Sequence, residues 1–288
     1  MSPPISPETH PTCRSDSARR ARRAGLLLGA LLSGCLETDL AHADRGSHLP
    51  PVAAIETGEY LARDDRTGTD LWRHGWTIER HTQPDGATLR VRQEGRGRRG
   101  HSAPTIWVAE MHVTLLGGDY RLSSWREVRD VQGALVETEK RDLDSTSGAG
   151  LVVVRDARSG RTSVRRVRVT RTSVDLEMLP VELRLLPGRP DQRIRFELIM
   201  AGGEAVGMEA TIVGREVVEV PAGTFECYRI ELAATGALGL VAGLVLPRTT
   251  LWHTVAPPHV WVKHRGPEGG VGSRTILREL TRFERQAE

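Results

Sequence analysis

The sequence has little cysteine, few aromatic residues and almost no lysine. It contains three cysteines in 288 residues, its aromatic content is 4%, and Lys140 and Lys263 are the only lysines. Arginine therefore supplies nearly all of the positive charge behind the formal net charge of +3. This bias is typical of codon usage in a GC-rich genome. The densest arginine cluster, residues 96–99, has no interleaved aromatic residues for base stacking, so we predict no nucleic-acid partner.

The scarcity of cysteine excludes a disulfide framework. Cys13 and Cys35 lie near the N-terminus, and Cys227 is the only cysteine in the rest of the chain. A single cysteine cannot form an intramolecular disulfide, so stability must come from a hydrophobic core. We interpret Cys227 as a small buried residue of a strand, because a nucleophile would need a base and an electropositive site.

Motifs of the common catalytic and phosphate-binding sites are also missing. The sequence has no nucleophile elbow, no phosphate-binding glycine loop and no histidine pair at helical spacing. We therefore predict a protein that is not an enzyme and has no cofactor. Catalytic triads assemble from distant positions, so a hydrolase stays open as an alternative.

Two residue groups are candidates for a metal site, although we predict none. His253, His259 and His264 lie close together in the sequence, followed by Glu268, and zinc accepts such ligands, but the spacing matches no standard zinc pattern. Three aspartates could offer oxygen ligands to calcium, but the ligand spacing and closing glutamate of a calcium loop are absent. They are Asp64, Asp65 and Asp70.

The N-terminal region has the pattern of an export signal. Four arginines within residues 19–23 precede an apolar run at residues 24–34, which is too short to span a bilayer as a helix. The ending Leu-Ser-Gly-Cys resembles a bacterial lipobox, which implies a signal peptide over residues 1–34 and lipidation of Cys35. An ordinary cleavage site after Ala43 and an uncleaved anchor are the alternatives.

The resemblance to a lipoprotein signal also predicts the location and organisation of the chain. We expect a flexible tether over residues 35–56 and a single antiparallel β domain over residues 57–285. Leu36, rather than aspartate, follows Cys35, which favours an outer-membrane lipoprotein facing the periplasm. A soluble periplasmic protein is the alternative.

Alternation of apolar and polar residues dominates the predicted domain. Odd positions are apolar over residues 107–115, and glycine-rich turns separate about twelve such segments. One large sheet must curl to bury its apolar face, so we predict an all-β fold with a large curved antiparallel sheet or an incompletely closed β-barrel. Residues 179–186 fit a helical turn and a strand equally well.

Residues 220–225 read Val-Pro-Ala-Gly-Thr-Phe and predict a tight hairpin. Pro221 fits the first turn position, and Gly223 can adopt a positive φ in a bulge after the turn. This string resembles the signature hairpin of a family of exported bacterial proteins of unknown function. The resemblance implies a fold similar to the open β-barrels that carry lipoproteins, and it implies no catalytic residues.

One glycine-rich segment, residues 236–246, is apolar throughout. It is a buried segment that crosses the core, a mobile flap over an apolar cavity, or a patch that contacts a membrane or a partner. The residues of the flap hypothesis are Leu238, Leu240, Val241 and Leu244.

These observations predict a lipid-anchored protein of the cell envelope that is not catalytic. We expect its N-terminal lipid to contact the membrane and its concave face to bind a lipid or another apolar small molecule. A structural or assembly role in contact with other envelope proteins is the alternative.

Overall fold

A computed structural model describes residues 52–83, 86–100, 103–116, 118–186, 192–236, 249–269 and 273–286. These residues form fifteen strands and one helical turn, α1, at Leu179–Glu182, which continues as a 3₁₀ turn at Leu183–Leu185. The first eight strands are β1 Ile55–Asp64, β2 Asp70–Gln83, β3 Gly86–Gly97, β4 Thr105–Leu116, β5 Asp119–Asp130, β6 Leu135–Asp144, β7 Ala149–Asp156 and β8 Thr162–Arg168. The others are β9 Ser173–Asp175, β10 Arg193–Ile199, β11 Ala205–Val220, β12 Gly223–Ala234, β13 Thr249–Thr254, β14 Trp261–Pro267 and β15 Thr275–Gln286.

All fifteen strands belong to one sheet in the order β8-β7-β6-β5-β4-β3-β2-β1-β15-β14-β13-β12-β11-β10-β9. Neighbouring strands are antiparallel except for β9 and β10, which are parallel. The first and last strands, β1 and β15, pair with each other near the middle of this order. The chain thus runs outwards from β1 to β8 and returns inwards from β9 to β15.

The sheet must curl, because its two edge strands are close in sequence. Four residues, 169–172, connect the end of β8 to the start of β9. They can bridge roughly 18 Å at most, whereas the edges of a flat fifteen-stranded sheet would lie about 65 Å apart at the usual strand spacing. Curling brings the opposite edges together.

Side chains join the two ends of the curled sheet. Arg141 on β6 forms a buried ion pair with Asp175 on β9. Arg165 on β8 pairs with Glu204, just before β11, with 2.8 Å between Nη2 and Oε1. No backbone pairing joins β8 to β9 in this sheet order, so the structure is an incompletely closed barrel. The predicted fold class is confirmed.

The apolar side chains at alternate positions of the strands form the core. On β4 the odd positions from Trp107 to Leu115 are all buried, while His112 is exposed. Burying one large aliphatic side chain contributes about 1.5–3 kcal/mol, and equivalent rows on neighbouring strands extend the same cluster. The inner face of the sheet therefore stabilises the fold.

The structure decides the conformation of residues 179–186 and shortens the tether predicted over residues 35–56. Residues 179–186 begin as helix rather than strand, with Pro180 in the first turn, where its missing N–H costs nothing. Part of the predicted tether belongs to the folded core, because Val52 is 3% exposed and Glu56 on β1 is fully buried. Glu56 is held there by an ion pair with Arg184, at 2.8 Å.

Candidate functional site

A cavity of about 620 Å³ lies against the inner face of the curled sheet. Its walls come from β1–β3, from β10–β15 and from α1 with its flanking residues. This volume falls within the roughly 300–1,000 Å³ of pockets that enclose one small organic molecule.

One part of the cavity wall is apolar. It is built by inward-facing residues of β10 to β13, which are neighbours in the sheet, and by α1. These residues are Leu198, Val206, Met208, Leu232, Leu251, Leu179 and Val181. A wall of this kind favours an aliphatic chain, because the wall and the chain leave water together.

The other part of the wall is aromatic and cationic. It is built on β2, β1, β15 and β14, which are also consecutive in the sheet. Tyr60, Trp72, His74, Trp261 and His264 surround the side chain of Arg278 there. The cavity is therefore amphipathic, with its apolar wall and its polar wall on two adjacent blocks of strands.

Arg278 occupies an inward position of β15, between the buried residues Ile276 and Leu280. Its guanidinium carbon lies 3.6 Å from the centre of the Trp261 indole and 5.1 Å from the centre of the Tyr60 ring. Such cation–π contacts hold an arginine without using its N–H donors. Burial lowers the pKa of Arg278 to about 10, so the group is charged at neutral pH.

The donors of Arg278 have no partner among the described residues. Its Nε is buried without a hydrogen bond, and no carboxylate of the described ranges lies within ion-pair distance of its guanidinium. The side chain keeps accessible surface where it lines the cavity. A charge that is largely withdrawn from water and has no partner is costly, so this position favours an anion supplied from the cavity.

Two carboxylates that line the cavity are already paired with other groups. Glu268 accepts hydrogen bonds from Trp72 Nε1 at 2.7 Å and from Arg274 Nε at 2.9 Å. Glu177 forms an ion pair with Arg99, with 3.5 Å between Oε1 and Nη2. Burial opposes ionisation of Glu177, but neighbouring charges, led by that of Arg99, lower its pKa to about 2.

The two cavity histidines are neutral. Burial lowers the pKa of His74 and that of His264 to about 3 each, and the charge of Arg278 contributes to both shifts. Nε2 of His74 and Nδ1 of His264 are buried without a hydrogen-bond partner. These imidazoles add polar surface to the cavity and carry no charge near neutral pH.

The histidines considered for zinc occupy separate positions. The indole of Trp261 contacts both His253, with ring centres 6.5 Å apart, and His264, at 5.6 Å. His253 Nδ1 lies 3.0 Å from the backbone oxygen of His259, and His264 lines the cavity. Within the described ranges, no cluster of three metal-ligating side chains occurs.

The other sequence candidates lie away from the cavity. Asp64 caps the turn that follows β1 by accepting from the backbone N–H of Thr67 at 2.9 Å, and Asp65 pairs with Arg265. Asp70 pairs with Arg63. Cys227 is a buried core residue, and burial raises the pKa of its thiol to about 12.

The predicted hairpin is formed by β11 and β12. Pro221 and Ala222 connect Val220 to Gly223, and Gly223 has a φ of 133°. The lipidation residue and the flap residues lie outside the described part of the chain. They are Cys35, Leu238, Leu240, Val241 and Leu244.

Sequence reasoning missed the two arginines that matter most in the cavity. Arg99 belongs to the arginine cluster at residues 96–99, which sequence reasoning considered only as a nucleic-acid contact, and Arg278 was not among the candidates. The sequence did carry a signal in the alternation of side chains along β15. Arg278 lies two residues after Ile276 and two residues before Leu280, so its side chain is on the same inward face as theirs. A charged residue at an inward position of a strand is informative, because charged side chains are rarely buried unless they are paired with another group.

Fold and site together define a class: an all-β protein with one curled, open sheet around an amphipathic cavity. Across the described residues, no helix combines the length and the apolar character needed to cross a membrane.

No protein-family model and no curated protein matches the sequence. A beta-barrel-like protein of the domain of unknown function DUF1849 from Brucella abortus is a structural neighbour, at 12% identity and a TM-score of 0.49 over 81% of this chain and 98% of that chain. A predicted lipoprotein from Parabacteroides distasonis has 10% identity and a TM-score of 0.34, over 82% and 97%. A predicted exported protein with a YmcC-like fold from Bacteroides fragilis has 9% identity and a TM-score of 0.35, over 82% of this chain and 98% of that chain. TM-scores below 0.5 establish no shared family, so the family resemblance of residues 220–225 stays a prediction.

Proposed function

We propose that this protein is an exported, lipid-anchored and non-catalytic protein of the cell envelope, whose β domain binds a lipid or another amphipathic small molecule. The cavity of about 620 Å³ inside the curled sheet is the observation that carries the proposal. The apolar wall on β10–β13 would contact the aliphatic part of the ligand.

The size of the cavity supports a ligand rather than a packing defect. Protein interiors are close-packed, and a dry void destabilises a fold by about 24 cal/mol per Å³. The cavity of about 620 Å³ is partly open to solvent, so it is not a dry void of this kind, and its volume is that of a ligand pocket. An apolar chain fits the wall on β10–β13 better than the water that it would displace.

The chemistry of the lining supports a binding role over catalysis. A general base works best with a pKa near the operating pH, whereas His74 and His264 have pKa values near 3. The thiol of Cys227 is buried in the core and has a pKa of about 12. These groups are poor bases and a poor nucleophile at neutral pH.

The sequence signal supports the location. Residues 19–35 combine an arginine flank, an apolar run and a lipobox-like ending, so Cys35 would carry the lipid anchor. Outer-membrane sorting towards the periplasm follows from Leu36 after the cysteine; a soluble periplasmic protein is the alternative.

An assembly role receives less support from the described strands. Edge strand β8 exposes most of its side chains, and Val164 is 62% exposed. However, Arg165, Arg166 and Arg168 lie on the same strand, and charged edge residues oppose the addition of a strand from another protein. The cavity therefore remains the better guide to function.

Native mass spectrometry of the protein purified from cell envelopes tests the proposal. We expect an additional mass of a few hundred daltons that is lost on denaturation, while covalent lipid stays attached. Met208→Trp fills the cavity and should remove the additional mass. Val217→Trp is the matched control on the same strand, because Val217 is 72% exposed and should leave the mass in place. Equal masses under native and denaturing conditions would contradict the proposal.

A further inference from the structure

We infer that Arg278 binds the anionic head, a carboxylate or a phosphate, of a single-chain amphiphile whose chain lies along the apolar wall on β10–β13. This inference rests on the proposed function and adds the chemical class of the ligand. It commits to one anionic head and one aliphatic chain in one cavity.

The position of Arg278 is the first observation. The guanidinium lies among Trp261, Tyr60 and Trp72, with 3.6, 5.1 and 5.7 Å between its carbon and the three ring centres. Stacking on aromatic rings fixes the plane of a guanidinium and leaves its N–H groups at the rim of that plane. The group is therefore oriented before any ligand binds.

The unused donors of Arg278 are the second observation. None of the described residues accepts a hydrogen bond from this side chain, and its Nε is buried. A guanidinium has five N–H donors in a planar fork that matches a carboxylate or a phosphate. An oxyanion in the cavity would complete the hydrogen bonds that the protein does not supply.

The charges around the cavity are the third observation. Glu268 is neutralised by Arg274, Glu177 is paired with Arg99, and Arg184 is paired with Glu56. Arg278 has no such carboxylate among the described residues. His74 and His264, which face the same space, are uncharged. Glu177 also attracts Arg278 at longer range, but Arg99 and Arg274 balance the two carboxylates at this end of the cavity, which therefore keeps one net positive charge.

The arrangement of the strands determines the direction in which the ligand would lie in the cavity. Arg278 and its aromatic neighbours lie on β2, β1, β15 and β14, and the apolar wall lies on β13, β12, β11 and β10. The two blocks are adjacent in the sheet, so one molecule can contact both. A cavity within the range for one small organic molecule favours one aliphatic chain over a two-chain lipid.

Binding of three ligands with the same chain tests the inference. Dodecanoate, dodecyl phosphate and dodecanol are titrated into the full-length protein at pH 8 and followed by calorimetry. Hydrogen bonds to a charged group are stronger than those to a neutral one, so we expect at least one anionic ligand to bind roughly tenfold or more tightly than the alcohol. The stronger of the two anions identifies the head group as carboxylate or phosphate.

Arg278→Gln should remove this preference. The dissociation constants of the best anion and of dodecanol should then agree within about threefold, with the constant for dodecanol almost unchanged, because the apolar wall is intact. Arg282→Gln is the matched control on the same strand: its side chain is 56% exposed and its loss removes the same formal charge. This control should keep the preference of the wild type.

Arg278→Lys covers the case in which Arg278→Gln does not fold. Lysine keeps the charge but loses the planar fork, so the preference for the anion should fall without disappearing. Equal binding of the anions and the alcohol by the wild type, or a preference that survives both substitutions, would overturn the inference and leave the proposed function standing. Failure of all three ligands to bind would overturn both.

Discussion

The guanidinium carbon of Arg278 lies 3.6 Å from the centre of the Trp261 indole, and none of the described residues accepts a hydrogen bond from that guanidinium. Trp261 also contacts His253 on one side and His264 on another. The indole therefore connects the core of the protein to the cationic end of the cavity. The charge of Arg278 is held by rings, and its donors stay available to a ligand.

Gly223 should be sensitive to substitution because of its backbone. Its φ of 133° is unfavourable for a β-branched residue, whereas an added Cβ would meet only ordinary contacts with Phe225, at 3.7 Å. Gly223→Val should lower the free energy of unfolding by at least ~1 kcal/mol, measured by urea denaturation. Gly214→Val on β11, which has open space around its Cβ position, should change stability less. Equal stability of Gly223→Val and the wild type would contradict the turn assignment.

Pro221→Ala should be milder than Gly223→Val. The substitution mainly gives the unfolded chain more freedom, at a cost of about 0.4–1 kcal/mol. The same denaturation experiment measures it, and a larger loss than that of Gly223→Val would show that Pro221 makes a contact that the turn geometry does not include.

The ion pair between Arg141 and Asp175 should stabilise the closure of the curled sheet. Both side chains are buried, and Asp175→Asn would leave Arg141 with Glu139 alone. We expect a loss of about 3 kcal/mol, the lower end for breaking a buried pair. Glu204→Gln breaks the ion pair with Arg165, which joins the same ends of the sheet but is about half exposed, and should cost less than ~1 kcal/mol. Equal losses for the two variants would contradict this account.

Acid should destabilise the protein through its buried histidines. Burial lowers the pKa of His253 from 6.5 to about 3, so between these values the unfolded chain binds a proton that the folded chain excludes. Stability is therefore full above about pH 6.5 and falls as the pH is lowered, by about 1.4 kcal/mol per pH unit for one such group. His253→Asn should make the loss between pH 7.5 and 5.0 about 2 kcal/mol smaller than in the wild type. An unchanged loss would show that His253 is not neutral in the folded protein.

Lipidation at Cys35 is tested by expression in a bacterial host and metabolic labelling with a fatty-acid analogue. Cys35→Ser should remove the label, because the lipobox-like ending provides the thiol that receives the lipid. Cys13→Ser is the matched control and should keep the label, since Cys13 precedes the arginine flank. Label on Cys35→Ser would contradict the anchor.

The strands could be predicted from the sequence because their signals are local. Alternation over residues 107–115 and turn residues such as Pro221 specify a strand and a turn without reference to distant contacts. The parallel three-residue strand β9 could not be predicted, since three residues are too few to show an alternating pattern and its partner β10 lies beyond the helical turn. Residues 179–186 carry apolar positions that suit helix and strand alike.

The cavity could be predicted only in part. The concave apolar face follows from the alternating pattern, but the position of Arg278 depends on the phase of β15 and on rings from β1, β2 and β14. Those rings are distant in sequence, so no local pattern brings them together. The glutamates that leave Arg278 uncompensated are likewise paired through the tertiary fold.

Crystals of the full-length protein grown with a terminally brominated dodecanoate test the central claim most directly, because anomalous scattering locates the end of the chain. We expect the bromine among Leu198, Met208, Leu232 and Leu251, and the carboxylate within hydrogen-bond distance of the Arg278 guanidinium. Bromine on the outer face of the sheet, or a carboxylate bound away from Arg278 while the chain fills another surface, would contradict the account.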